Sequence, residues 1–257
     1  MRVAALQMAS VAGDPEANLM RIARGAEAAA ARGADLLITP ELAVPGYGAG
    51  ERMRSLAQST DGPAARQLKG IAAETGLAIV AGFAEEFQGE IFNSALFVNP
   101  RGGTTLYRKS HLYGEYERAL FRAETPTAVT LEHAGLRLGM VICFDVEFPE
   151  NVRRLALSGC NLVVAPTALQ VGAYAEFIAR KMIPVRAFEN QIFLAYVNYC
   201  GADGKFTYAG LSSIAAPDGS LLAAADAYGE SLMIADIDPQ RYEKSAAENS
   251  YLKDVRI

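Results

Sequence analysis

Three polar side chains in this sequence lie at the end of apolar segments of strand length or directly after them. Glu41 follows "ADLLITP", Lys109 follows "TTLYR", and Cys143 closes "LGMVIC". In open α/β folds, ligands bind at the carboxyl ends of the strands, so such residues are candidates for chemistry. Together they could perform acyl transfer, in which a thiol attacks a carbonyl carbon, a carboxylate takes the thiol proton and an ammonium stabilises the oxyanion.

Each of these residues also has a simpler interpretation. A glutamate after a strand is commonly a cap or part of a surface ion pair, and a lysine there is commonly solvated. A cysteine at a strand end can be an inert core residue, a metal ligand or half of a disulfide. The chain has three cysteines, which disfavours a disulfide framework, and it contains no Cys-x-x-Cys or His-Glu-x-x-His spacing. We therefore expect no metal, and we interpret Cys160 and Cys200 as core residues.

A carboxylate is the base that this sequence offers to the thiol, because the chain contains only two histidines. A thiol with a pKa of about 8.5 is mostly protonated at neutral pH and needs a base to become a nucleophile. Glu41 can take that proton most effectively if burial raises the pKa of its carboxyl group towards neutrality. A helix predicted just after Cys143 would add free backbone N–H groups at the same place.

Apolar segments of strand length alternate with helical patterns along the chain, which predicts an α/β fold. We predict strands at residues 3–7, 36–39, 78–83, 95–99, 138–143, 162–166, 193–198 and 232–236. We predict helices at residues 15–32, 63–75, 149–158, 175–188 and 239–247. Turn signals at residues 99–102 and 217–219 indicate two hairpins. A mixed α/β sandwich in a single domain is therefore favoured over a doubly wound parallel sheet.

The composition favours a small-molecule partner. The formal net charge of the 257 residues is −5, and the 24 basic and 29 acidic side chains are interspersed, so we expect no nucleic acid partner. The N-terminal "MRVAALQMAS" lacks an apolar signal core, and no run approaches the roughly 18 to 20 apolar residues of a membrane span. We expect a cytoplasmic protein without a membrane partner. No phosphate-binding glycine loop follows a strand, so we expect no nucleotide cofactor.

Three segments resemble the signature regions of the nitrilase superfamily of carbon–nitrogen hydrolases: "TPEL", "YRKSHLYGEYERALF" and "ICFDVEFPENVRRLAL". The segments "MRVAALQ", "VRAFENQIFLAYVNYCG" and "GLSSIAAPDGSLLA" extend the similarity over nearly the whole chain. The resemblance implies a single carbon–nitrogen hydrolase domain over residues 1–257 with a four-layer α-β-β-α sandwich. It further implies that no cofactor is needed and that the chain assembles as a homodimer or a higher homo-oligomer.

The resemblance also implies a role for each candidate residue. Glu41 would be the general base, Lys109 the stabiliser of the tetrahedral intermediate and Cys143 the nucleophile. The backbone N–H of Phe144 would join Lys109 in the oxyanion hole. Asp145 is expected to cap the following helix or to brace the turn after the cysteine.

Many members of the superfamily use a second glutamate shortly after the lysine, and "GEYER" offers two. Glu117 is preferred because the Glu-Arg-x-x-Phe pattern around it matches the family better, and Glu115 is the alternative. Helical spacing would turn the two side chains to different sides, so we expect only one of them to face the thiol.

Other residues are expected to contact the substrate. Tyr47, Thr167 and Ala168 fall in loops beside the catalytic strands, and Glu115 is placed near the entrance. An acidic residue there, Glu115 or Glu176, is a candidate to bind a substrate ammonium group.

The expected reaction is hydrolysis of a small carboxamide to a carboxylate and ammonia through a cysteine thioester. The segments around the pocket resemble those of small amidases, including amidases of ω-amino-acid amides such as 5-aminopentanamide. A nitrilase or an N-carbamoyl amino acid amidohydrolase would use the same triad, and both stay open as alternatives. A non-catalytic binding protein on this fold is less favoured, because Glu41, Lys109 and Cys143 are all present.

Overall fold

Two β-sheets pack face to face in the computed structural model, which describes residues 1–256. The first sheet has eight strands: β1 (Arg2–Ala9), β2 (Leu36–Ile38), β3 (Ala78–Phe87), β4 (Glu90–Val98), β5 (Thr104–Arg108), β10 (Tyr199–Ala202), β11 (Thr207–Ala209) and β14 (Ser231–Asp236). The second sheet has six strands: β6 (Thr130–His133), β7 (Leu136–Met140), β8 (Leu162–Pro166), β9 (Phe193–Val197), β12 (Ser213–Ala215) and β13 (Leu221–Ala224).

Both sheets are mixed, as the hairpin signals predict. Strands β1, β2 and β3 pair in parallel, whereas β3, β4 and β5 form an antiparallel meander. In the second sheet β7, β8 and β9 are parallel, and β6 and β12 pair antiparallel at their flanks. The turns predicted at residues 99–102 and 217–219 connect β4 to β5 and β12 to β13, so both predicted hairpins are confirmed.

Helices cover the outer faces of the two sheets. The α-helices of the described residues are α1 (Pro15–Ala30), α2 (Met53–Leu56), α3 (Pro63–Thr75), α4 (Gly114–Leu120), α5 (Pro149–Leu157), α6 (Ala175–Phe177), α7 (Ile183–Asn190), α8 (Glu243–Glu248) and α9 (Tyr251–Asp254). Short 3₁₀ helices span Tyr47–Arg52, Cys143–Glu147 and Pro239–Tyr242, and a π-helical turn spans Ile178–Met182. Within residues 1–256, no helix combines the length and the apolar character that a membrane crossing requires.

The alternation of side chains along the strands produces the layers. In β1, Val3 and Ala5 enter the core between the sheets, while Ala4 and Met8 pack on the side covered by α1 and α3. In β8, likewise, neighbouring residues point either between the sheets or towards α5 and α7. Because successive strand residues face opposite sides, strands with two buried faces read as continuous apolar runs. The predicted four-layer α-β-β-α sandwich is confirmed.

Several predicted boundaries differ from the structure. The helix predicted at 175–188 is divided by the π-helical turn, and the helix predicted at 239–247 begins as a 3₁₀ turn. The strand predicted at 138–143 ends at Met140, and the next two residues, Val141 and Ile142, are buried outside the strand. Val141 still donates its backbone N–H to the Val164 carbonyl in β8 over 3.1 Å, and Ile142 is buried by packing against its neighbours. Helices α2, α4 and α9 and strands β6, β10 and β11 were not predicted as elements, and all six are short.

Candidate active site

A buried lysine links two carboxylates at the end of β5. The Nζ atom of Lys109 donates to Glu41 Oε1 over 2.6 Å and to Glu117 Oε1 over 2.7 Å. All three side chains are buried. Burial alone opposes the charge of Lys109, but the two neighbouring carboxylates outweigh it and raise the pKa of the lysine well above its ordinary value. The lysine is therefore a fixed positive charge.

Glu41 lies in the turn after β2, and its two carboxylate oxygens have different surroundings. Oε1 accepts hydrogen bonds from Lys109 and, over 2.6 Å, from Asn93 Nδ2. Oε2 is buried and has no hydrogen-bond partner within residues 1–256. Burial raises the pKa of Glu41 to about 7, the charge of Lys109 opposes this increase and the charge of Glu117 adds to it. This carboxyl group can thus both accept and return a proton near neutrality.

Cys143 begins a 3₁₀ helix rather than ending β7. Its backbone has a φ of 45°, in the left-handed region that non-glycine residues rarely adopt. Such strain persists where surrounding contacts enforce it, and it commonly marks functional positions. Burial raises the pKa of the Cys143 thiol well above its usual range, and the charge of Glu41 adds to this effect. The thiol is therefore protonated at rest and requires a base.

Asp145 fixes the turn that holds the cysteine. This buried carboxylate accepts hydrogen bonds from the backbone N–H of Ile142 and the hydroxyl of Tyr107, over 3.2 and 2.8 Å. It also accepts from the Ser110 hydroxyl and from the backbone N–H of His111, over 2.9 and 2.8 Å. Tyr107 is in β5 and the other two follow it, so one carboxylate joins the lysine-bearing segment to the cysteine turn. Of the two roles expected for Asp145, these contacts correspond to bracing the turn.

The two candidate second glutamates lie on different faces of α4. Glu117 is buried; its Oε1 also accepts from the Tyr47 hydroxyl over 2.8 Å, and its Oε2 accepts from the backbone N–H of Tyr113 over 2.8 Å. Glu115 is exposed and takes no part in this cluster. The structure therefore brings Glu117, and not Glu115, together with Lys109.

A cavity of about 640 Å³ opens over the cluster. Its lining is mostly apolar or aromatic and consists of Tyr47, Tyr113, Glu117, Cys143, Phe144, Glu147, Ala168, Leu169, Gln170, Val171, Gly172, Ala173, Tyr174, Ala175, Phe177, Ile178 and Met182. A thiol, a cavity and a base–lysine pair at one place are the components that acyl transfer requires.

Only some of the residues expected to contact substrate line the cavity. Tyr47, Phe144 and Ala168 line the cavity. Thr167 is buried outside the lining, with its hydroxyl donating to the carbonyl of Ala165 over 2.9 Å. Glu115 is also outside the lining.

Several residues that line the cavity were not predicted from the sequence, including Glu147, Tyr113 and the segment from Leu169 to Ala175. For Glu147 a signal was present, because it lies four residues after the cysteine within the same motif. The loop after Ala168 carries no such signal, since its contribution depends on how it folds over the cavity.

The four-layer sandwich is the fold of the solved amidase from Nesterenkonia sp. AN1, a member of the nitrilase superfamily. The chain belongs to the carbon–nitrogen hydrolase family, whose model matches residues 2–247. It is an enzyme of the amidase or nitrilase type, a carbon–nitrogen hydrolase, as its relatives and structural neighbours indicate.

Named relatives align over the full chain. A hydrolase of the pqqF 5′ region in Pseudomonas protegens is 42% identical, over 100% of this chain and 89% of its own length. An (R)-stereoselective amidase of a Pseudomonas species is 33% identical, over 100% of this chain and 92% of its own. Among solved structures, a variant of the amidase from Nesterenkonia sp. AN1 in complex with butyramide superposes with a TM-score of 0.89 at 32% identity, covering 100% of this chain and 94% of that one.

Proposed function

We propose that this enzyme hydrolyses small carboxamides to carboxylate and ammonia through a thioester on Cys143. The observation that carries the proposal is the state of Glu41: one of its oxygens is held by Lys109 and Asn93, and the other is buried without a partner. A buried acceptor without a donor is costly, so such an atom is available to take a proton. The charge of Glu41 acts on the Cys143 thiol, which lines the cavity.

Acylation follows from this arrangement. Glu41 accepts the thiol proton as Cys143 Sγ attacks the amide carbonyl carbon, and the carbonyl electrons move onto the oxygen. The ammonium of Lys109 and the backbone N–H of Phe144 are the groups proposed to stabilise this oxyanion. Glu41 then passes its proton to the amide nitrogen, the C–N bond breaks, ammonia leaves and a thioester stays on the cysteine.

In deacylation Glu41 again acts as the base, with water in place of the thiol as the proton donor. Glu41 takes a proton from a water molecule that attacks the thioester carbonyl carbon. The resulting intermediate collapses with loss of the Sγ leaving group, which receives the proton from Glu41, and the carboxylic acid is released. A carboxyl group with a pKa of about 7 suits both directions of proton transfer.

The preference for amides over the alternatives is supported by relatives and by the cavity. The Nesterenkonia amidase has been observed with butyramide, and a variant of it carries the acetamide moiety of fluoroacetamide at its active-site cysteine. The mostly apolar lining of this chain suits a short aliphatic acyl group. A nitrile or an N-carbamoyl compound would present a differently shaped electrophile to the same residues.

The test is ammonia release by the purified enzyme from matched amides, nitriles and N-carbamoyl amino acids that share an acyl chain. The proposal expects the largest kcat/KM for short amides. Turnover of nitriles without amides, or of N-carbamoyl compounds alone, would contradict it. Absence of turnover across all three classes would contradict it as well.

The proposed base predicts a pH dependence of kcat/KM. Because burial raises the pKa of Glu41 to about 7, the carboxylate form that acts as base is lost as the pH falls below that value. We expect kcat/KM for a short amide to fall about tenfold per pH unit below pH 7 and to level off above it. The profile should be measured from about pH 5 to about pH 9 at constant ionic strength. A profile that stays level between about pH 5.5 and pH 8 would contradict the role of Glu41.

Glu117 and Glu115 provide a matched pair of variants. The carboxylate of Glu117 accepts from Lys109, Tyr47 and Tyr113, and Glu117→Gln would turn an amide N–H₂ towards one of these donors. We expect kcat/KM to fall by about 10- to 150-fold, the range for a lost hydrogen bond to a charged group. Glu115→Gln changes an exposed side chain, and its kcat/KM should stay within about twofold of the wild type. Equal losses in both variants, measured on one amide, would contradict the placement of Glu117.

A further inference from the structure

One carboxylate in the cavity has no place in the mechanism above. Glu147 ends the 3₁₀ helix that begins at Cys143, and its half-buried side chain lines the cavity. A 3₁₀ helix rises about 2 Å per residue, so the two positions are separated by about 8 Å along the helix axis. Glu147 is thus placed to contact a part of the substrate several bonds away from the reacting carbonyl group.

The cationic groups near Glu147 are engaged elsewhere. Arg186 donates to the main-chain carbonyls of Val146 and Glu147 and to the carboxylate of Glu189. Lys109 is held by the two glutamates of the catalytic cluster. Among residues 1–256, no hydrogen bond or ion pair reaches the Glu147 carboxylate, although Lys109 and Arg186 act on it through space.

Burial raises the pKa of the Glu147 carboxyl group, and the charges of Lys109 and Arg186 oppose that increase. A partly desolvated carboxylate without a partner is costly, and it is stabilised when a cation binds beside it.

The other charged groups of the site also favour binding of a cation. Glu41 and Glu117 contact the ammonium of Lys109, and the carboxylate of Glu147 lies within range of its charge. Among the described residues, no lysine, arginine or histidine lines the cavity. A negative cavity with mostly apolar walls attracts cations and disfavours anionic substrates.

The apolar walls of the cavity can also contact the methylene groups between the two ends of a substrate. Phe144, Leu169, Ile178 and Met182 line the cavity with apolar surface. Methylene groups would pack there, with a charged end at the carboxylate and an amide at the thiol.

We propose that Glu147 binds the ammonium group of an amino-amide substrate whose carboxamide reaches Cys143. This inference rests on the proposed function and adds a substrate class to it. It also revises the expectation from sequence, because Glu115 and Glu176 are both exposed and neither lines the cavity. Glu147 acts here through contact with the substrate and takes no part in bond making.

The experiment compares two amides of equal length, 5-aminopentanamide and hexanamide, in which a methyl group replaces the ammonium. The quantity measured is the ratio of their kcat/KM values. We expect Glu147→Gln to lower this ratio by about 10- to 150-fold, the range for a lost hydrogen bond to a charged group. The control is Glu150→Gln, the same change at an exposed position in the first turn of α5, which should leave the ratio unchanged.

A charge reversal gives a second, independent test. Glu147→Lys should shift the preference from 5-aminopentanamide to the monoamide of glutaric acid, which carries a carboxylate in place of the ammonium. A gain of activity cannot arise from a variant that is merely misfolded.

Equal losses for 5-aminopentanamide and hexanamide in Glu147→Gln would show a structural role towards Lys109 or Arg186 and would overturn the inference. An unchanged ratio would overturn it as well. If the wild type hydrolyses hexanamide but not 5-aminopentanamide, the inference fails while the proposed function stands. If it hydrolyses no amide at all, the proposed function itself fails.

Discussion

Replacing Cys143 with alanine is expected to lower kcat for amide hydrolysis by at least about four orders of magnitude, as loss of a nucleophile does in acyl-transfer enzymes. Alanine removes the atom proposed to form the thioester and leaves the proposed base and the lysine without a reacting partner. The positive φ of this position constrains alanine much as it constrains cysteine, so the turn is expected to be retained. The measurement is ammonia release under saturating amide.

Cys160→Ala is the matched control, because Cys160 is also buried but packs in the core beneath α5. It should keep kcat within about twofold and lower the melting temperature slightly, as loss of one small buried group does. Residual activity of Cys143→Ala above about one hundredth of the wild type would contradict the assignment of the nucleophile.

Glu41→Gln is expected to lower kcat by about three to four orders of magnitude, since both halves of the proposed reaction require its proton transfers. Glutamine keeps the shape of the side chain and an oxygen that can accept from Lys109, but it cannot carry a proton between the thiol, the amide nitrogen and water. Burial already favours the neutral form of this carboxyl group, raising its pKa to about 7, so a neutral replacement is expected to fold.

The matched variant is Glu41→Asp, which keeps a carboxylate but shortens its reach. It should recover part of the lost activity, because an ionisable base is retained at a less favourable distance. Thermal melting curves of the wild type and both variants serve as the folding control. If Glu41→Gln retained kcat within about tenfold of the wild type, proton transfer would have to be assigned to another residue.

Strands buried on both faces were predicted most accurately from the sequence. The predicted strand at 162–166 matches β8, because its short apolar run is bounded by a turn on one side and a proline on the other. The predicted helix at 63–75 matches α3, which opens on Pro63 and ends before Gly76, a residue in the left-handed conformation. Local signals determine these boundaries.

The turn at Cys143 could not be predicted from local signals. The run from Leu138 to Cys143 is apolar throughout, yet pairing stops at Met140 because the chain leaves the sheet there. The bend is enforced by Asp145, which gathers donors from a segment about 35 residues earlier in the chain. Such a contact leaves no periodic pattern in the sequence.

The site residues are also brought together by tertiary structure rather than by local sequence. Lys109 and Glu41 are 68 residues apart and meet because β2 and β5 end at the same edge of one sheet. Their positions after strands indicated this edge, and the family motifs indicated their roles. The choice between Glu115 and Glu117 needed the orientation of α4, and Glu147 became visible only with the cavity.

The most direct measurement is the mass of the peptide containing Cys143 after the wild-type enzyme has been mixed with butyramide, quenched in acid within the first turnovers and digested. We expect a mass increase equal to the butyryl group on Cys143, with none on Cys160 or Cys200, because the thioester forms on Cys143 before water hydrolyses it. Unmodified Cys143 at every quench time, together with continued amide turnover, would contradict a thioester mechanism.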